Sequence, residues 1–197
     1  GLRDFTINAV ALDLRQASSL LDLWDASWPP ELLAALVDPY GGLADLRAGR
    51  IRATNDAVFQ DDPLRLLRAM RFHVELGFAI VPQTEALIRR DAALIARPSA
   101  ERVRDELGRV VAAPHAADSL RLLDDLGLLS PLLPEFTALK GVSQPAEHFW
   151  DVYEHSIQAV AEVESVCQWM IEQETGRSAN GRSEISGYLS EVFPGGH

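Results

Sequence analysis

The sequence predicts a mainly α fold with a small α/β segment at its N-terminal end. Apolar residues recur at helical spacing in successive stretches from about residue 61 onward, with Gly and Pro punctuating them. Before residue 55 the pattern changes to short β-branched and aromatic runs around a tight turn. At 197 residues and 47% hydrophobic content, the chain can bury a substantial core.

Taken in order, DFTINAVALDL (4–14) alternates apolar and polar positions and reads as a strand, and IRAT (51–54) as a second. Between them, Asp38 to Gly42 is dense in turn formers, and LADLRA then predicts one or two helical turns. This order of strand, turn, short helix and strand is a fragment of an α/β unit. Because one or two strands do not make an independent sheet, further strands are expected upstream of Gly1. Residues 16–36, with Trp24, Trp28 and the Pro29-Pro30 pair, read as an insertion with no assigned role. Helices are predicted at 62–77, 83–96, 99–112, 115–127 and 147–173. Gly77 closes the first, Pro82 precedes the second, Pro98-Ser99 opens the third, Pro114 begins the fourth and Gly127 ends it. Beyond Thr175 the polar, glycine-rich composition predicts a loose tail. No repeat period suggests a solenoid.

The net charge of −11 argues against nucleic-acid binding over the whole surface. The distribution is uneven. Residues 46–72 hold six arginines (Arg47, Arg50, Arg52, Arg65, Arg68, Arg71) against three acids (Asp56, Asp61, Asp62), whereas beyond residue 100 sixteen acids face seven bases. A polyanion is therefore expected to meet the N-terminal half. No apolar run reaches the ~20 residues of a membrane helix, and GLRDFTINAV lacks the features of a signal peptide, so a cytoplasmic location is expected. The single cysteine, Cys167, excludes an internal disulfide and is expected to be a buried structural thiol.

The stretch DDPLRLLRAMRF (61–72) has an ordinary helical explanation. Pro63 suits a first turn, Asp62 can cap free amides, and Leu64, Leu67, Met70 and Phe72 form an apolar stripe. Arg65, Arg68 and Arg71 then fan across a neighbouring polar strip, with Asp62 at its head.

Four collinear segments, RDFTINAVALD, VDPYGGLADLRAGRIR, QDDPLRLLRAMRFHVELGF and ERVRDELGRVV, resemble the tRNA nucleotidyltransferase (CCA-adding enzyme) and bacterial poly(A) polymerase family over about residues 2–140. The resemblance implies a remnant of a nucleotidyltransferase head over 1–55, a helical neck and body over 56–140 that bind the nucleotide base and RNA, and an incomplete HD-like segment with the tail over 141–197. It implies that Arg3, Asp4 and Asn8 belong to the nucleotide site, Asp62 and Arg65 to base recognition, and Arg68 and Arg71 to the same nucleotide-binding set, Arg68 toward the phosphates. The substrates implied are ATP and CTP, and the partner tRNA. The departures are Leu2 where the family usually has a second arginine, Asp61 where Glu is common, and the length of the 16–36 insertion. The family's Gly-rich turn and Mg²⁺-binding carboxylates would lie upstream of Gly1. No catalytic or metal residue is therefore assigned in this chain, which alone is expected to bind nucleotide weakly and catalyse nothing.

Cytosine and adenine each present an amino donor beside a ring-nitrogen acceptor. A carboxylate only accepts and a guanidinium only donates, so Asp62 and Arg65 together suit both bases, while guanine and uracil set like against like. The alternatives are a poly(A) polymerase using only ATP and a noncatalytic tRNA-binding helical module. Glu101, Arg102 and Glu106 read as an ion-paired structural face joining neck to body. In GVSQPAEHFWDVYEHSIQAVA (141–161), His155 would match the first ligand of an HD centre, but no His-Asp pair follows. His148 and His155 are therefore read as packed or solvated. No oligomeric state is assigned.

Overall fold

The apolar alternation of residues 4–14 does not produce one strand. In the computed structural model, which describes residues 3–13, 35–143 and 150–174, only Phe5 pairs early, as an isolated antiparallel bridge to Ala53. The amides of Asn8 and Ala9 then donate to the carbonyls of Phe5 and Thr6, both at 3.0 Å, winding a 3-10 turn over Thr6–Asn8. Asp4 Oδ1 accepts from the Phe5 amide (3.1 Å) and from Asn8 Nδ2 (3.0 Å). Such local side-chain bonds compete with ladder pairing, and here they win. Pairing resumes at β1 (Ala11–Leu12), antiparallel to β2 (Leu36–Val37) with Ala11 opposite Val37.

The predicted turn is present. Asp38 Oδ1 and Oδ2 accept the amides of Gly42 (2.6 Å) and Leu43 (3.0 Å), satisfying donors at the start of α1 (Gly42–Arg47). Gly42 is required by close approach, because a Cβ there would lie 2.1 Å from the Thr6 carbonyl oxygen. After α1, β3 (Arg50–Ile51) pairs parallel with β4 (Ala79–Ile80), Ile51 opposite Ile80.

The first predicted helix resolves into two. A short helix, α2 (Val58–Asp61), ends at Asp62, whose extended backbone (φ −147°, ψ 101°) breaks it. α3 (Arg65–Leu76) follows after an entry turn in which Arg65 and Leu66 amides donate to the carbonyls of Asp62 and Pro63. The expected capping by Asp62 is corrected: the helix starts at Arg65 with Leu64 at its cap position and no side-chain cap bond, and Asp62 Oδ1 instead accepts the Leu64 amide at 3.2 Å in the turn that leads into it. Gly77, at φ 68°, closes α3. α4 (Pro82–Asp91) runs into a 3-10 turn over Ala92–Ala96, and α5 (Ala100–Ala112) and α6 (Ala116–Asp125) match their predicted positions. Two short helices, α7 (Leu129–Leu132) and α8 (Pro134–Thr137), were not predicted, being too brief to show a period. α9 (Val152–Glu174) begins at Asp151, whose carboxylate accepts the Glu154 amide (2.8 Å) and the Gly141 amide (2.7 Å). Those backbone bonds hold the Asp151 carboxyl below its usual range.

One apolar core joins these elements. α3 contributes Leu66, Leu67, Ala69 and Met70 to a cluster that also holds Val110 of α5, Leu120 and Leu123 of α6, and Tyr153 and Ile157 of α9; α3 packs on α5 and α6, and α9 packs on α6. Phe5, Ile51, Val58 and Phe59 belong to the same core, so the N-terminal segment is packed into the helical body. The expectation for Cys167 is corrected: it is exposed. α9 buries Tyr153 and Ile157 in its first turns, whereas Val163, Val166, Met170 and Ile171 are exposed beside Cys167. No helix among the described residues is long and apolar enough to cross a membrane. Most of the 16–36 insertion, His148 and the tail beyond Thr175 lie outside the described residues.

Candidate functional site

Asp4 stands where the N-terminal segment meets α3. Its neighbour Phe5 is fully buried, with its ring 5.8 Å from that of Phe72 on α3 and 6.4 Å from that of Phe59 on α2. This apolar anchor fixes the backbone on either side. Thr54 Oγ1 donates to the Arg3 carbonyl (2.6 Å), the Thr54 amide to that of Asp4 (3.1 Å), and the Thr6 amide to that of Arg52 (2.9 Å). Asp4 is then buried with Oδ1 bonded to Phe5 and Asn8 and Oδ2 2.9 Å from Arg68 Nε. The Arg68 contact is a close ion pair without an aligned hydrogen bond, and its guanidinium also lies 5.8 Å from the Phe72 ring centre. Arg3 is exposed at the rim. Thus Asp4, Asn8 and Arg68 are brought together, and Arg3 adjoins them.

A second polar group supports this edge from below. Buried Asp45 of α1 accepts from Thr6 Oγ1 (2.8 Å) and pairs with Arg52 Nε (2.9 Å). Burial pushes its carboxyl upward, but the bonds from Arg52 and Thr6 outweigh that and hold it below the ordinary value. Sequence reading missed this pair, whose members sit on α1 and just past β3, so that helical spacing does not connect them.

One turn toward the start of α3, Asp62 and Arg65 are each fixed by a different neighbour. Asp62 Oδ2 accepts from Arg102 Nη2 of α5 at 3.2 Å, while Oδ1 is held by the Leu64 amide. Arg65 Nη1 donates to the Val58 carbonyl of α2 at 3.0 Å. Both side chains lie at a partly exposed helix entry, one a pure acceptor and the other a pure donor. A carboxylate has about four acceptor sites, so the two bonds on Asp62 do not exhaust it. Arg102, expected on an ion-paired structural face, makes such a pair with Asp62, itself a base-reading candidate.

Arg71 lies elsewhere in the interface between α3 and α5. It is within 3.3 Å of Glu106 and 3.7 Å of Glu75, stacks on Phe72 at 4.9 Å, and is largely buried. Arg109 closes the network on Glu75 at 2.7 Å. Of the six arginines in the basic stretch, Arg52, Arg68 and Arg71 are thus matched by acids, while Arg47 and Arg50 are exposed and carry no ion pair among the described residues.

The described residues do not fit a divalent metal. They contain no group of three His, Cys, Asp or Glu arranged to hold one, and Asp4 is committed to Phe5, Asn8 and Arg68.

The collinear segments thus fold as a mainly helical body packed on a small α/β edge. Residues 77–140 match the family described as "Probable RNA and SrmB- binding site of polymerase A". The chain is 38% identical over 163 residues to the A-adding tRNA nucleotidyltransferase of Deinococcus radiodurans, covering 80% of this chain and 33% of that protein. It is also 38% identical to the multifunctional CCA protein of an Azoarcus species, covering 80% of this chain and 35% of that one. Among solved structures, the Thermotoga maritima CCA-adding enzyme complexed with tRNA superposes with a TM-score of 0.56 at 31% identity, covering 73% of this chain and 31% of the enzyme. The chain belongs to the tRNA nucleotidyltransferase family, and it spans about a third of the length of the relatives it matches.

Proposed function

We propose that this chain forms the base-reading and RNA-facing part of a template-independent nucleotidyltransferase that adds C and A, from CTP and ATP, to the 3′ end of tRNA. The observation that supports this reading is the fixed pair at the entry to α3. Asp62 is oriented by Arg102 and the Leu64 amide, and Arg65 by the Val58 carbonyl. In that arrangement Asp62 accepts the amino hydrogen of cytosine or adenine while Arg65 donates to the adjacent ring nitrogen. Uracil and guanine oppose a carbonyl to the carboxylate and a ring N–H to the guanidinium, leaving desolvated groups unpaired. The protein itself thereby takes the place of a template.

Arg3, Asp4 and Asn8 form the edge facing the ribose and triphosphate, and Arg68 ties that edge to the base-reading helix. Arg71 enters through its ion pairs with Glu106 and Glu75, which hold α3 against α5. Exposed Arg47 and Arg50 offer charge to RNA phosphates. Phosphoryl transfer calls for Mg²⁺, which in this reading is held by carboxylates other than those described.

Equilibrium titration of the chain with each of the four nucleoside triphosphates tests the reading. CTP and ATP should bind more tightly than UTP and GTP, and equal binding of all four would overturn it. The name of the Deinococcus relative favours one second reading, addition of A alone, in which ATP would be preferred over CTP as well. Salt-dependent tRNA binding without any nucleotide preference would mark a noncatalytic RNA-binding module.

A further inference from the structure

The geometry points to Thr84, Arg90 and Asp91 of α4 as positioning residues that clasp segment 53–60 and thereby set where Asp62 and Arg65 stand. This inference rests on the base-reading role proposed for those two residues. Segment 53–60 starts beside the Asp4 edge, where Ala53 pairs with Phe5 and the Thr54 amide donates to the Asp4 carbonyl, and leads directly into the entry of α3. α4 holds it at successive points. Buried Thr84 Oγ1 accepts the Ala53 amide at 2.9 Å. Arg90 Nη2 donates to the Asp56 carbonyl at 2.5 Å. Buried Asp91 accepts from Gln60 Nε2 on α2 at 3.4 Å and is bonded by Arg90 Nε (3.0 Å) and Nη2 (2.6 Å).

α2 is only four residues long and makes too few internal bonds to hold itself. Yet its Val58 carbonyl is the acceptor that orients Arg65, and its last residue adjoins Asp62. A displacement of α2 therefore moves both members of the reading pair. Buried polar residues on a helix face otherwise occupied by Ile88 and Ala92 need a purpose beyond packing, and the clasp supplies one. The Asp91 carboxyl is held below its ordinary range by Arg90, so the clasp is ionised near neutral pH.

The test uses the chain with Arg90→Met, whose side chain is partly exposed, and the more buried Asp91→Asn, each checked for wild-type helicity. Deuterium uptake should rise in peptides spanning 56–66 and stay unchanged in those spanning 116–125. In the same folded variants the preference for CTP over UTP should fall by about tenfold, since misplacing a reacting or binding group by 1 Å can cost on the order of 10²-fold. A merely stabilising role would lower the melting temperature and leave that preference intact. Unchanged uptake over 56–66 in both variants overturns the clasp, and raised uptake with unchanged preference overturns its positioning role. If the unmutated chain shows no preference, the base-reading assignment falls, while the uptake measurement still decides the clasp.

Discussion

Replacing Arg68 by Met should cost about 1.5–2 kcal/mol of stability, and a double-mutant cycle with Asp4→Asn should assign about 1 kcal/mol of that to the pair. The magnitude follows from where the pair sits. Exposed ion pairs contribute about 0–1 kcal/mol, whereas breaking a buried one costs about 3–5 kcal/mol. Here the Asp4 side chain is 7% exposed and that of Arg68 is 36% exposed, so the value falls between the limits. Met keeps apolar packing near the Phe72 ring while removing the charge, and Asn keeps an oxygen for the Phe5 and Asn8 donors. Urea unfolding of the four proteins at pH 7, with unchanged m-values, measures the coupling. Raising salt should weaken it only partly, because one partner is buried. A coupling within the ~0.3 kcal/mol noise of such cycles would refute the claim that Arg68 ties the N-terminal edge to α3.

Gly42→Ala should destabilise the chain by about 3 kcal/mol or more, since its Cβ would meet the Thr6 carbonyl oxygen at 2.1 Å and backbone must move. Thermal unfolding reads this, and chemical shifts of Asn8 should move with it. Burial, then the bond to Asp124, pushes the Tyr153 hydroxyl up to about 12, which favours the neutral phenol in the folded state. Its contribution is complete below pH 10 and should be lost as pH rises from about 10 to 12, with Tyr153→Phe removing that loss from a stability-versus-pH curve. Glu164 of α9 accepts the amides of His115 and Ala116 at the start of α6, and Glu164→Gln should cost about 1 kcal/mol in urea unfolding.

The helical body was legible because its signals are local. Pro82, Pro98, Gly77 and Gly127 mark ends through backbone constraints that hold in any context, and the observed helices lie within a few residues of those marks. The N-terminal stretch was misread because Asp4 and Asn8 bond each other locally, a preference that alternation counting ignores. Asp62 was legible as a polar residue at a helix entry, but its partner Arg102 lies forty positions away and no period links them. Asp45 with Arg52 and Asp91 with Gln60 likewise sit on different elements, and their pairing depends on how those elements pack. Cys167 was placed by the usual burial of cysteines, whereas its surroundings on α9 decide the matter.

The direct test is the ratio of CTP to UTP affinity in the chain and in its Asp62→Asn, Arg65→Gln double variant. Amides can present either a donor or an acceptor, so the variant should lose most of the preference while still binding the triphosphate. A variant that discriminates as well as the unmutated chain would contradict the assignment of base reading to this helix entry.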